Sequence, residues 1–148
     1  MSDARKVRKV LVVDDNRDLV RIIMAVLERE ARGQYRYECT KAYDGAEALE
    51  LVRAESPDMI ITDNLMPRMD GFELLKNLQS SPETNRIPVM ILLETEPGKG
   101  PDELLFKAWA SGVSSALTKP VNPREVLVFV GRIFETLDEP EQEEAGTI

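Results

Sequence analysis

The sequence contains no histidine among its 148 residues. Zinc sites that use histidine, and nucleophilic catalysis by Ser–His–Asp or Cys–His groups, are therefore excluded. For the same reason, this chain cannot carry a phosphohistidine of its own.

Cysteine and long apolar runs are also scarce. Cys39 is the only cysteine, so an internal disulfide cannot form, and a single thiol is compatible with a reducing cytosol. The apolar run near the start covers only residues 10–13 before Asp14, which is too short for a signal-peptide core or a membrane span. We therefore expect a cytoplasmic protein that does not insert into a membrane.

Basic residues are outnumbered: 19 Lys and Arg face 27 Asp and Glu, which gives a net charge of -8. This balance argues against direct binding of nucleic acid or of anionic membranes, both of which favour clustered Lys and Arg. The length fits one domain, which at this size buries roughly 68–70% of its unfolded surface and needs no disulfide or structural metal.

Short apolar runs alternate with segments of helical periodicity along the whole chain. Alternation of five strands with five helices is typical of parallel βαβ units and predicts an α/β fold. We expect an open, doubly wound sheet in the order 2-1-3-4-5, the flavodoxin-like arrangement, with the alternating second strand at one edge. In the helix before Gly112, Trp109 lies at core spacing with Leu105, which predicts a half-buried ring. The predicted strands cover residues 10–13, 35–40, 59–61, 89–93 and 114–118.

The predicted domain covers residues 7–137 and is preceded by an extension of residues 1–6. Residues 138–148 contain five acids and no base, and we expect them to form a disordered acidic tail. The eleven residues after Leu137 are too few for a DNA-binding helix-turn-helix or an enzyme. We therefore expect a stand-alone module that acts through contacts with other proteins.

Four charged residues follow or end three of the predicted strands. Asp14 and Asp15 end the first strand, Asp63 ends the third, and Lys119 follows the fifth. Because the carboxyl ends of parallel strands meet at one edge of a sheet, these side chains should converge. Crowded carboxylates repel one another and raise a pKa unless a cation is present, and Mg²⁺ suits such a site because it binds carboxylate and phosphate oxygens together.

The same residues indicate a phosphoryl-transfer site. Asp63 is an available carboxylate nucleophile, and Lys119 can contact an anionic oxygen. Phosphoryl transfer requires little beyond alignment and charge neutralisation. The predicted site has no general base for a second substrate, so we expect a phosphoryl acceptor and not a turnover enzyme. A phosphatase-like hydrolase is a weaker alternative, because such enzymes tend to need a second carboxylate at the position of Leu65.

Each residue also has a purely structural interpretation. Asp14 and Asp15 could cap a helix, Asp63 could belong to a turn, and Lys119 could be a solvated loop residue. Each structural interpretation explains one residue by itself and does not require the others to be present. A shared site requires all four residues together.

Three motifs resemble those of response-regulator receiver domains in two-component systems: VLVVDDN at residues 10–16, DNLMPRMDG at residues 63–71 and LTKP at residues 117–120. The resemblance covers about residues 7–137. It implies that Asp63 becomes an aspartyl phosphate, that Asp15 binds Mg²⁺ directly and that Asp14 binds it through water. The implied donor is a phosphohistidine on a sensor histidine kinase or on a phosphotransfer protein of a phosphorelay.

The resemblance implies three further features of the site. The backbone carbonyl of Leu65 would be another metal ligand, and Lys119 would contact the phosphoryl group. The peptide bond between Lys119 and Pro120 would be cis, which an X-Pro bond permits at a cost of about 0.5–1 kcal/mol.

The chain departs from the receiver pattern at the positions that normally switch conformation. Leu93 stands where a Thr or Ser hydroxyl normally bonds the phosphoryl group, and Thr95 could replace that hydroxyl only if the strand end is bulged. Ala116 stands where an aromatic residue is usual, and the stretch of residues 94–101 is longer than usual. Two hypotheses follow: a phospho-acceptor that signals to a downstream protein effector, or a pseudo-receiver that acts as a phosphorylation-independent scaffold.

Overall fold

Strand and helix alternate along residues 6–138. The structure is a computed structural model that describes residues 3–140. The strands are β1 (Lys6–Val13), β2 (Tyr35–Ala42), β3 (Met59–Asp63), β4 (Val89–Leu93) and β5 (Ser115–Thr118). The helices are α1 (Arg17–Glu30), α2 (Gly45–Glu55), α3 (Gly71–Gln79), α4 (Pro101–Ala110) and α5 (Pro123–Asp138). All strand pairs are parallel and the order is β2-β1-β3-β4-β5, so the predicted fold class is confirmed.

The central strands are apolar on both faces because helices cover both sides of the sheet. In β1, Val10 and Val12 pack on the side of α1 and α5, whereas Leu11 and Val13 pack on the side of α2, α3 and α4. Every residue of β3 and β4 is buried. Burial of each large aliphatic side chain stabilises the fold by roughly 1.5–3 kcal/mol, so the two cores fix the sheet firmly.

Four of the five helices begin at a side-chain cap. Asn16, Asp44, Asp70 and Asn122 each accept a hydrogen bond from a backbone N–H in the first turn of the following helix. Such a cap contributes about 0.5–2 kcal/mol to stability. These caps also fix the direction in which each loop leaves the carboxyl edge of the sheet.

The ends of the folded unit differ from the sequence prediction by single residues. Lys6, assigned to the N-terminal extension, begins β1, because that strand pairs with β2 along its full length from the Lys6–Tyr35 pair onwards. Asp138, assigned to the acidic tail, ends α5, because its carboxylate accepts hydrogen bonds from Tyr35 Oη at 2.7 Å and from Arg8 Nη2 at 2.8 Å. Residues 141–148 of the predicted tail lie outside the described residues.

Two further features concern the helices. Trp109 is 55% exposed, close to the predicted half-buried side chain, and Leu104 and Ala108 occupy the inward-facing positions of α4. Among the helices of residues 3–140, none has the length and apolar character needed to cross a membrane.

Candidate functional site

The predicted site residues meet at the carboxyl edge of the sheet. Asp14 follows β1, and its N–H donates to the Ala42 carbonyl at 3.2 Å, so it continues the strand beyond Val13. Asp63 ends β3, which pairs with β1 on one side and with β4 on the other. The backbone N–H of Lys119 donates to the Leu93 carbonyl at 2.8 Å, so β4 fixes the point from which the lysine side chain extends.

The carboxylates of Asp14, Asp15 and Asp63 form one cluster. One oxygen of each lies within 4.8 Å of the others. Asp14 and Asp63 are fully buried, whereas Asp15 lies exposed at the rim. Neither oxygen of Asp63 accepts a hydrogen bond of normal geometry from any described residue. Buried carboxylate oxygens without donors fit a hard cation such as Mg²⁺, which binds oxygen ligands of this kind.

Lys119 supplies the positive charge of the site. Its Nζ lies 2.8 Å from Asp14 Oδ2, 3.4 Å from Asp63 Oδ2 and 3.5 Å from Glu94 Oε2, and its side chain is only 17% exposed. Burial disfavours the charged lysine, but the hydrogen bond to Asp14 and the nearby Asp63 outweigh this effect and raise the pKa of Lys119. The ammonium is therefore present throughout the physiological pH range. The Lys119–Pro120 peptide bond is cis.

Crowding also raises the pKa values of two of the acids, which favours their neutral forms. Burial, and then the charge of Asp14, raise the pKa of Asp63 to about 7, although Lys119 and the N–H of Leu65 oppose the rise. Burial and the neighbouring Asp14 also raise the pKa of Asp15. A cation placed between these groups would favour their ionised forms. The site therefore carries a carboxylate that needs positive charge to stay ionised at neutral pH.

Gly71 allows the close packing that positions Asp63. A Cβ on Gly71, the first residue of α3, would lie 2.0 Å from the backbone oxygen of Asp63. Its N–H donates to the Asn64 carbonyl at 3.2 Å. The start of α3 is thus pressed directly against the end of β3, which only glycine permits.

Sequence analysis missed two residues beside this site, Asn64 and Glu94. The buried Asn64 side chain accepts from the Glu94 N–H at 2.6 Å and donates to the Glu94 carbonyl at 3.0 Å. The carboxylate of Glu94 then reaches Lys119. The only sequence signal for Asn64 was an amide directly after the third strand, which is equally typical of a turn.

A family described as the response regulator receiver domain matches residues 10–130. The chain belongs to this family. Its members are signalling modules of two-component systems, and the acidic cluster at the sheet edge is of the kind that binds Mg²⁺ in receivers.

Individual relatives agree with this assignment. The chain is 36% identical over 121 residues to hybrid signal transduction histidine kinase D of Dictyostelium discoideum, covering 82% of this chain and 7% of that protein. It is 36% identical over 143 residues to the response regulator PleD of Caulobacter vibrioides, covering 93% of this chain and 29% of that protein. The chain thus spans less than a third of the length of either relative.

A solved structure confirms the receiver fold. The signal receiver domain of a signal transduction histidine kinase from Syntrophus aciditrophicus superimposes with a TM-score of 0.76 at 26% identity. The alignment covers 91% of this chain and 96% of that one.

The residues singled out as switch positions lie at and after the end of β4 and in β5. Leu93 is 1% exposed and packs in the core shared with α2, α3 and α4, so it offers no hydroxyl to the acidic cluster. Thr95 lies on the surface, where its hydroxyl makes no hydrogen bond to the described residues. Ala116 packs partly buried against the same core as Leu93. The stretch after β4 forms a tight turn in which the Lys99 N–H donates to the Glu96 carbonyl at 3.1 Å.

Proposed function

We propose that this receiver accepts a phosphoryl group on Asp63, with Mg²⁺ held by Asp14, Asp15 and Asp63. The observation that carries the proposal is the Asp63 carboxylate: it is fully buried, lacks a hydrogen bond, and lies between two other carboxylates and the Lys119 ammonium. Burying a carboxylate that accepts no hydrogen bond of normal geometry and shares one ammonium with two other carboxylates is costly for the fold. A role in binding and reaction accounts for its retention.

In the proposed reaction, a carboxylate oxygen of Asp63 attacks the phosphorus of a phosphohistidine. The new bond is an acyl phosphate P–O bond, and the P–N bond to the imidazole breaks. The imidazole leaves with the bonding electron pair and takes up a proton. The donor would be a phosphohistidine on a sensor histidine kinase or on a phosphotransfer protein, as membership of the receiver family implies. Similarity to a hybrid histidine kinase supports a partner of this class.

Lys119 and a cation held by the acidic cluster would each neutralise part of the negative charge of the phosphoryl group. The ammonium, already 3.4 Å from Asp63 Oδ2, would contact the transferred group and neutralise part of its charge. Asp14, Asp15, Asp63 and the backbone carbonyl of Leu65 would hold the cation, with Asp15 as a direct ligand and Asp14 acting through water. When bound, Mg²⁺ would supply positive charge to the phosphoryl oxygens. The site would also support loss of the phosphoryl group to water, and no turnover of a second substrate.

The output would be contact with a downstream protein effector in the cytoplasm. The net charge of -8 favours neither direct contact with nucleic acid nor membrane binding. Because the chain corresponds to only part of the relatives named above, the activities of those whole proteins are not carried over.

Intact-mass measurement tests the proposal. We expect the protein to gain one phosphoryl group when incubated with acetyl phosphate and Mg²⁺, and to gain none when Mg²⁺ is removed by EDTA. Asp63→Asn should abolish the gain, whereas Asp102→Asn, which removes an exposed carboxylate on α4, should not. A wild-type protein that gains no mass, or an Asp63→Asn variant that gains as much as wild type, would overturn the assignment.

A further inference from the structure

Glu94 places a fourth carboxylate at the site, from the loop after β4. Its Oε2 lies 3.5 Å from Lys119 Nζ, which also faces Asp14 and Asp63. A lysine ammonium has three N–H donors and no more. Lys119 donates a hydrogen bond to Asp14 and forms ion pairs with Asp63 and Glu94, so three carboxylates from three segments of the chain share one positive charge.

The backbone of Glu94 is held in place, whereas its carboxylate can move. The buried side chain of Asn64 bonds both the N–H and the carbonyl of Glu94, at 2.6 and 3.0 Å. This clamp fixes the point from which the Glu94 side chain extends. The side chain itself is 48% exposed and can turn out into solvent without leaving a buried charge unpaired.

The charges at the site oppose a further anion. Asp14, Asp63 and Glu94 each have a carboxylate oxygen within 3.5 Å of the single Lys119 ammonium. A phosphoryl group at this position carries roughly two negative charges and needs the same ammonium. Glu94 and the phosphoryl group would therefore repel each other and compete for one cation.

We propose that the Glu94 carboxylate competes with a phosphoryl group on Asp63 for the Lys119 ammonium. Phosphorylation of Asp63 must then displace Glu94 from Lys119. This inference rests on the proposed function and concerns a residue for which the sequence predicted no role. Glu94 thereby limits how readily Asp63 accepts a phosphoryl group and how long it keeps it. Displacement frees the carboxylate at the start of the loop that leads into α4.

The test compares Glu94→Gln with Glu96→Gln. Both variants remove one negative charge from the same loop, but the Glu96 carboxylate bonds Asn64 at 3.3 Å and forms no ion pair with Lys119 among the described residues. Beryllofluoride, an anionic analogue of a phosphoryl group, is titrated in saturating Mg²⁺ and followed by ¹⁹F NMR. Mg²⁺ affinity is measured separately by calorimetry.

We expect Glu94→Gln to bind beryllofluoride roughly 3- to 10-fold more tightly than wild type, as loss of one nearby like charge predicts. Its acyl phosphate should also survive longer, with a similar ratio of half-lives measured by intact mass. Affinity for Mg²⁺ alone should not rise, because removing a nearby negative charge does not favour the binding of a cation. Glu96→Gln should match wild type in all three measurements.

The outcomes separate this inference from the proposed function. Wild type that binds beryllofluoride, with Glu94→Gln no tighter, would overturn the role of Glu94 and leave phosphorylation of Asp63 intact. An equal gain in Glu96→Gln would also overturn it, because the effect would then be one of general loop charge. If neither wild type nor Glu94→Gln bound the analogue or gained a phosphoryl group, the proposed function itself would fail, and this inference with it.

Discussion

Gly71 and Asp63 are in backbone contact so close that a single added methyl group would lie 2.0 Å from the Asp63 carbonyl oxygen. The residue that begins α3 therefore sets the position of the proposed nucleophile. The clash involves backbone on the Asp63 side, so no side-chain rotation can relieve it.

Gly71→Ala should consequently destabilise the fold by about 1–3 kcal/mol, the usual range for overpacking. Urea unfolding followed by circular dichroism measures the change. Gly100→Ala is the matched control: a Cβ at Gly100, the N-cap of α4, would meet nothing within 4 Å. It should cost no more than about 1 kcal/mol, the loss expected because Ala is a poorer N-cap than Gly. Equal stability of Gly71→Ala and wild type would show that the contact at Asp63 can relax.

Stability without divalent cations should depend on pH through Asp63. Its pKa is about 7 in the folded protein and about 3.9 in an unfolded chain. The folded state therefore binds more protons between these values, and stability falls as pH rises from about 4 to about 7. The loss is on the order of 2–4 kcal/mol.

Asp63→Asn should remove this pH dependence and should be more stable than wild type at pH 8 in EDTA. Urea unfolding at several pH values with EDTA present makes the comparison. A wild-type profile that rises across this range would contradict the raised pKa of Asp63.

Mg²⁺ should stabilise the native state, because the acidic cluster is assembled only in the folded chain. At a concentration about tenfold above the dissociation constant, the expected gain is about 1.4 kcal/mol, or roughly 3–6 °C in melting temperature. Differential scanning calorimetry with KCl at equal ionic strength separates binding from salt screening. Asp15→Ala should lose most of the shift. If Mg²⁺ changed the melting temperature of neither wild type nor Asp15→Ala, the result would contradict the metal site.

Asn64 should control the order of the loop that carries Glu94. Asn64→Ala removes both bonds to the Glu94 backbone, and we expect a loss of about 1–3 kcal/mol together with faster amide exchange at Glu94. Asn77→Ala is the control, because that amide is exposed on α3. Hydrogen exchange read by NMR would refute the clamp if the Glu94 amide kept its wild-type protection.

Asp138 should contribute acid-sensitive stability at the opposite end of the sheet. Its hydrogen bond from Tyr35, and then that from Arg8, outweigh burial and lower the pKa of Asp138. A lowered pKa gives stability that is present above the unfolded value of about 3.9 and disappears as pH falls through the folded value.

Asp138→Asn should accordingly cost about 1 kcal/mol at pH 7 and progressively less in strong acid. Urea unfolding at both pH values measures this, and Glu50→Gln, an exposed change on α2, serves as the charge-matched control. A deficit that stayed constant down to strong acid would mean that the charge of Asp138 is not what matters.

Sequence patterns predicted the features that depend on backbone periodicity and strand ends. Two-sided burial made β3 and β4 visible as apolar runs, and the rule that strand ends meet at one edge brought Asp14, Asp63 and Lys119 together. The amino-terminal half of β1 was not predicted, because the charged residues Lys6, Arg8 and Lys9 interrupt the apolar run there. Arg8 is accommodated there since its guanidinium lies 5.8 Å from the Tyr35 ring centroid and bonds Asp138.

The contacts between loops could not be predicted in the same way. The bonds from Asn64 to Glu94 join residues thirty positions apart, and no periodicity connects them. The division of α4 into the buried Leu104 and Ala108 and the more exposed Trp109 could likewise not be predicted, because helical spacing alone does not tell which of two adjacent stripes on a short helix faces the sheet. Side-chain direction in loops and short helices is decided by tertiary packing.

The positive charge of an ammonium with three acidic neighbours is still balanced by negative charge when one of these carboxylates moves away. Lys119 retains two partners if Glu94 turns away, and its backbone stays bonded to Leu93 throughout. The lysine can thus act as a fixed positive point while negative charge is redistributed around it. A surface that must alternate between an empty and an anion-loaded form gains from such redundancy, because neither form leaves a stranded charge.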